Sequence, residues 1–210
     1  MNFPRERTAL AEVMAFLFSK GWAPGTGGNF SIVVGEGADR RWVMSPSGIE
    51  KGSVAPSDLI VLDRELNVIE GTGKPSAEAL LHVYIAESFG ARSILHVHSV
   101  WNTLLSRRFL KDGHLYLEGY EMLKVIGSIK THETRIAVPI VPNSQDMPSL
   151  VETLKAKLGD EPPVPAFLLA GHGLYTWGDS LAEAKRHVEG LEFLFEVEAR
   201  EQSWGTHAGG

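Results

Sequence analysis

Clustered apolar strands, interruptions of helical periodicity and short glycine-rich connections predict an α/β domain, a mixed sheet with helices on its faces. A clean strand–helix alternation, the mark of a parallel sheet, is missing. A chain of 210 residues can bury one good-sized core, so a single domain over 1–203 is expected, with a loose tail over 204–210. No repeat, low-complexity tract or linker interrupts it.

The composition narrows the function classes. A formal net charge of -6 argues against broad binding to nucleic acid or an anionic membrane, yet leaves room for a small anion in a locally positive pocket. There are no cysteines, which excludes disulfides and thiolate zinc sites and leaves imidazole and carboxylate as metal donors. No apolar run approaches the ~20 residues needed to span a bilayer, and Met1 to Arg7 lacks the apolar core of a signal peptide. A cytoplasmic protein is the expectation.

Taken in order, Leu10, Val13, Met14, Leu17 and Phe18 recur at helical spacing up to a stop at Lys20-Gly21. The loop Gly25-Thr26-Gly27-Gly28-Asn29 then runs into a strand over 30–34; its glycines let backbone N–H groups approach a ligand, or simply make a tight turn. It lacks the spacing and the lysine of a nucleotide-binding P-loop. A strand over 42–44 opens into Ser45-Pro46-Ser47-Gly48, a second loop rich in hydroxyls. Strands over 59–62 and 67–69 flank the turn Asp63-Arg64-Glu65. Ser76 reads as the N-cap of a helix over 77–89 that stops at Gly90, with Glu78 in the first turn, where a carboxylate complements the helix dipole. On that helix His82 reads as an ordinary helical residue.

Next comes Ile94-Leu95-His96-Val97-His98. In an extended strand alternate side chains share a face, so His96 and His98 point one way while Leu95 and Val97 enter the opposite layer. A third histidine, His172, stands between Gly171 and Gly173. Three neutral imidazoles are a common catalytic zinc set, which makes these residues candidate metal ligands. A helix over 100–105 follows, His114 falls in a polar loop, and a short helix begins within 117–124, with Glu121 near its start. A strand over 135–141 and a helix over 146–158 precede strands over 166–169 and 174–177 on either side of His172. Ser180 and Glu183 have capping-box spacing at the head of a last helix expected to run to about Gln202, with His187 structural.

Five motifs thus stand in one order: the Gly25–Asn29 loop, Ser45-Pro46-Ser47-Gly48, Lys74-Pro75-Ser76-Ala77-Glu78, His96-Val97-His98 and Gly171-His172-Gly173. Over nearly the whole chain this order resembles the class II, zinc-dependent sugar-phosphate aldolase and epimerase superfamily. Gly119-Tyr120-Glu121-Met122 and Asn143-Ser144-Gln145-Asp146-Met147 look most like its dehydratase branch, which removes water from a methylthio-substituted ribulose 1-phosphate in methionine salvage. The resemblance implies a three-layer α/β/α domain with a mixed, mostly antiparallel sheet, assembled as a homotetramer with sites near subunit interfaces. It implies one zinc ion per subunit on His96, His98 and His172. It also implies a phosphate of a small sugar-phosphate substrate on Gly28, Asn29, Ser47, Gly48 and Ser76, with Glu121 as catalytic acid/base. Glu78 matches the proton-transfer carboxylate of the aldolases, while Ala77 stands where some aldolases have a second serine. An aldolase or 4-epimerase is the alternative; a non-enzymatic interaction domain like the adducin head is a remote third, since such heads lack the metal histidines.

Overall fold

The computed structural model describes residues 2–205, with backbone only for 204 and 205. The elements are α1 (Pro4–Ser19), β1 (Asn29–Val34), β2 (Arg41–Met44), β3 (Ile60–Leu62), β4 (Val68–Glu70), α2 (Ala79–Phe89) and β5 (Ser93–Val97). Then come α3 (Val100–Arg108), β6 (His114–Glu118), β7 (Arg135–Val141), α4 (Met147–Leu158), β8 (Ala166–Leu169), β9 (Gly173–Gly178) and α5 (Leu181–Gly205).

The nine strands form one sheet in the order β4-β3-β2-β1-β5-β9-β8-β7-β6. Only β7 and β8 pair in parallel; every other neighbouring pair is antiparallel. Alternation sends Leu95 and Val97 of β5 into a core with Leu10, Leu105 and Leu191 from α1, α3 and α5. Ile94 goes to the opposite face, into a core with Leu81, Ile85, Leu150 and Leu154 from α2 and α4. Helices on both faces of a mostly antiparallel sheet give the three layers expected. Among the described residues no helix is long and apolar enough to cross a membrane.

Four local expectations are corrected. His114 lies in a strand and not in a loop: β6 pairs with β7 from His114↔Pro139 to Glu118↔Arg135, with Leu115 and Leu117 buried and Tyr116 exposed. The period-2 pattern outweighs the polar residues around it, and the helix expected over 117–124 shrinks to a 3-10 turn, Glu121–Val125. Helix α2 begins two residues late, at Ala79, so Ser76 caps a preceding turn, its Oγ accepting from Glu78 N at 3.2 Å. Glu78 is therefore the N-cap residue, with φ -95° and ψ 8°, and its carboxylate is free to leave the helix. Helix α5 runs to Gly205, past Gln202 and into the stretch expected as tail; 206–210 lie outside the described residues.

Candidate metal centre

The centre is built at one end of three adjacent strands. Registers Asn29↔His96 and Val97↔Leu174 bring the start of β1, the end of β5 and the start of β9 together. Close approach of these strands demands glycine. A Cβ on Gly28, whose φ is +77°, would sit 2.5 Å from the His96 carbonyl oxygen. One on Gly173 would run into the Val97 carbonyl and stand 2.8 Å from His96 Cε1. Gly28 and Gly173 are thus what lets these strand ends, and the histidines on them, meet.

His96 Nε2 is 2.7 Å from His98 Nε2 and 3.3 Å from His172 Nε2, and one ligand atom from each ring lies within 4.8 Å of the others. Hydrogen bonds on the far side of two rings set their tautomers. His96 Nδ1 lies 2.9 Å from the Leu174 carbonyl and His172 Nδ1 lies 3.1 Å from Asn143 Oδ1, so each donates there and turns a bare Nε2 to the cleft. Burial keeps both strand histidines neutral: it pushes His96 well below the usual imidazole range, helped by the neighbouring His98 and His172, and takes His98 down to about 4. Tyr175 stacks on His96 with ring centroids 3.9 Å apart.

The carboxylate of Glu78 faces the same point, Oε2 at 3.5 Å from His96 Nε2 and Oε1 at 3.2 Å from His172 Nε2. A carboxylate aimed at imidazole lone pairs is a convergence of acceptors, which a cation between them relieves. The donor set fits one divalent metal ion, with His96, His98 and His172 as the residues able to hold it. Glu78 is held from behind. Asn29 Nδ2 donates to Glu78 Oε2 at 2.6 Å, Asn29 Oδ1 lies 2.5 Å from His82 Nε2, and His82 Nδ1 lies 2.7 Å from Ser31 Oγ. Because Asn29 presents its amide nitrogen to the carboxylate, its oxygen must accept from His82 Nε2–H, and His82 Nδ1 must accept from Ser31.

The cleft has a volume of about 290 Å³, and Gly28, Asn29, Ser47, Gly48, Ser76, Glu78, His98 and His172 line it. The two small-residue loops therefore share one wall. A larger cleft of about 770 Å³ includes Trp177 and His187 in its lining, at the opposite end of β9. Both ring nitrogens of His187 are occupied, by the Trp177 carbonyl and the Gly127 N–H, so it is structural.

The family model for the class II aldolase and adducin N-terminal domain matches residues 8–199. A methylthioribulose-1-phosphate dehydratase from Methylococcus capsulatus is 44% identical over 95% of both chains. This chain belongs to the class II aldolase family, among its methylthioribulose-1-phosphate dehydratases. A dehydratase of that name from Serratia proteamaculans is 40% identical over 94% of this chain and 96% of its own. Such enzymes are hydro-lyases, and membership makes this chain an enzyme of the lyase class. Of solved structures, a putative aldolase/epimerase/decarboxylase from Klebsiella pneumoniae superposes with a TM-score of 0.77 at 29% identity, covering 94% of this chain and 89% of its own. An L-fuculose 1-phosphate aldolase gives 0.76 at 25% identity, covering 96% and 88%.

Within this dehydratase-family chain, Glu121 stands apart from the cleft. It heads the 3-10 turn, is 71% exposed, and pairs with Lys124 at 2.5 Å and His132 at 3.3 Å. Its hydrogen bond to Lys124 holds its carboxyl below the usual range. It is not among the residues lining the cleft. Sequence reasoning missed Lys51 and Tyr175, quoted Asn143 only as part of a motif without its contact to His172, and read His82 as unremarkable. Lys51 carries no spacing signal at all; Tyr175 could have been found, since antiparallel pairing places it directly opposite His96.

Proposed function

We propose that the protein catalyses the dehydration of 5-methylthioribulose 1-phosphate to 2,3-diketo-5-methylthiopentyl 1-phosphate, the reaction that serves methionine salvage. The supporting observation is the convergence of His96, His98 and His172 at the end of a cleft walled by two glycine- and serine-bearing loops, in a chain of the dehydratase family. We further propose zinc as the metal, since three imidazoles suit it. Bound there, the ion would act as a Lewis acid on the C2 carbonyl and C3 hydroxyl of the substrate, making the C3 proton acidic.

The chain's own residues supply the rest. Ser47, Ser76 and the backbone at Gly28 and Gly48 would hold the phosphate, fixing the sugar's register against the histidines. Removal of the C3 proton and departure of the C4 hydroxyl leave an enol that ketonises to the diketone. A carboxylate must take the C3 proton, and because hydroxide is a poor leaving group the carboxylic acid so formed must return a proton to the C4 oxygen, which departs as water. We assign this task to Glu121. Since Glu121 lies outside its own chain's cleft, the assignment requires it to act on a neighbouring copy, and so requires an oligomer, proposed here as a homotetramer. Covered by a neighbour and released from Lys124 and His132, its carboxyl would lose the stabilisation of its charged form and rise toward the range an acid needs.

A second reading draws on a specific observation: Glu78, at the aldolase carboxylate position, faces the histidines directly. With a retro-aldol mechanism Glu78 would carry the proton transfer and Glu121 would be dispensable. Incubating the metal-loaded protein with methylthioribulose 1-phosphate separates the two. Diketone formation supports the dehydratase, and cleavage into two fragments supports the aldolase. Light scattering that gives an active monomer would remove the role of Glu121 across chains.

A further inference from the structure

Lys51 is a buried cation that forms no ion pair among the described residues, the adjacent Glu50 acting on it only as a nearby charge. The residue is 1% exposed, and its Nζ donates to two backbone carbonyls, Thr26 O and Ile49 O, each at 2.8 Å. Those carbonyls belong to the two loops that wall the cleft, so the ammonium ties the loops to each other. Among the described residues no carboxylate forms an ion pair with it. The neighbouring Glu50 turns its Oε2 to the Ser53 hydroxyl, 2.6 Å away.

A buried charge is costly unless paired, and protein interiors rarely leave one alone. Burial lowers the Lys51 pKa only to about 8, so the group remains a cation at neutral pH. An ammonium has three N–H donors, and the two carbonyls account for two of them. The cleft that Lys51 lines also presents the Ser47 and Ser76 hydroxyls and the Gly28 and Gly48 backbone. Serines and glycines can solvate an anion but bring no charge; Lys51 brings it.

We infer that Lys51 is a binding residue for the phosphate of a phosphorylated substrate, contributing one charge-assisted hydrogen bond and holding the two loops at the spacing the anion needs. The inference rests on the sugar-phosphate reading above and adds to it a residue that sets preference for phosphorylated over unphosphorylated sugars.

The test uses inorganic phosphate, which binds without turnover, and the metal-loaded protein. Titration calorimetry at pH 7 compares the parent with Lys51→Gln, whose amide keeps two N–H donors and loses the charge. A charge-assisted bond predicts orthophosphate affinity lower by ~10–100-fold in Lys51→Gln, with metal content unchanged and the KM for the phosphorylated substrate raised more than kcat is lowered. Equal affinity in a folded Lys51→Gln, or no orthophosphate binding by the parent, overturns the inference. Should the variant fail to fold, selenate in crystals of the parent decides: an anomalous peak within hydrogen-bond distance of Lys51 Nζ supports it, and a peak elsewhere or none overturns it. The two readings fail separately. Phosphate binding through Lys51 without dehydration refutes the proposed reaction alone, whereas dehydration with an unchanged KM in Lys51→Gln refutes the role of Lys51 alone.

Discussion

Replacing His82 with Leu tests whether the hydrogen-bond chain Ser31–His82–Asn29–Glu78 positions the carboxylate of the centre. His82 is fully buried, and burial holds its imidazole neutral, down to about 3. Leu has similar bulk, so the perturbation is chemical more than steric. It strands Asn29 Oδ1 and Ser31 Oγ, both in buried residues. Each unpaired buried group costs ~1–3 kcal/mol, so the variant should lose ~2–6 kcal/mol. For a chain of this size that corresponds to a fall in Tm of roughly 5–20 °C. The functional effect follows from Asn29. Without His82 its amide can turn over and present oxygen to Glu78 Oε2, replacing a 2.6 Å donor by a repulsive contact. His82→Gln, whose amide can still donate to Asn29, should recover most of the stability and turnover. Thermal unfolding, metal content and kcat measured on both variants decide. A His82→Leu protein as stable and active as the parent, or a Gln variant no better than Leu, would show that the chain of bonds has no such role.

Other outcomes follow from the same geometry. Glu192 is buried, accepts from Asn102 Nδ2 at 2.8 Å, and is raised by burial to about 7. A folded pKa above the unfolded value gives stability that is full below the unfolded carboxylate range and is lost as pH rises to about 7. Glu192→Gln should therefore gain stability at pH 8, by at most about 3 kcal/mol; chemical unfolding at pH 5 and pH 8 measures it, and a variant weaker at pH 8 contradicts it. Glu121→Gln should lower kcat by ~10²–10⁴ with metal retained, and Glu78→Gln by less; at equal metal occupancy the reverse order would transfer the proton chemistry to Glu78. Gly173→Ala should lose metal, because its Cβ collides with the Val97 carbonyl and the His96 ring; full metal content on dialysis would refute the close packing of β5 on β9.

The cluster of His96, His98 and His172 was legible because two simple regularities placed it: strand alternation put His96 and His98 on one face, and the glycines beside His172 marked a close approach. The layers were legible for the same reason, as apolar spacing in α1, α4 and α5 reads directly as a buried face. What the sequence concealed depends on partners far along the chain. Strand β6 exists because β7 pairs with it, and its residues offer only the alternating Leu115 and Leu117 as a signal. At the cap, Glu78 takes a partner 49 residues earlier, Asn29, which local sequence cannot foresee. Lys51 is a lone lysine in a polar stretch, and its burial comes from two carbonyls that only the folded loops bring together. Glu121, chosen by resemblance, lies on the surface of its own chain, and nothing in one chain's sequence says which surface a neighbour covers.

The central claim is that this site expels water from its substrate and leaves the carbon chain whole. Mass spectrometry of the product formed from methylthioribulose 1-phosphate by the metal-loaded protein in heavy water tests it most directly. Dehydration gives one phosphorylated product that has lost a single water and, as the enol ketonises, carries a single solvent deuterium at C4. Two fragments, with the phosphate on only one of them, or unchanged substrate despite full metal occupancy, would contradict it.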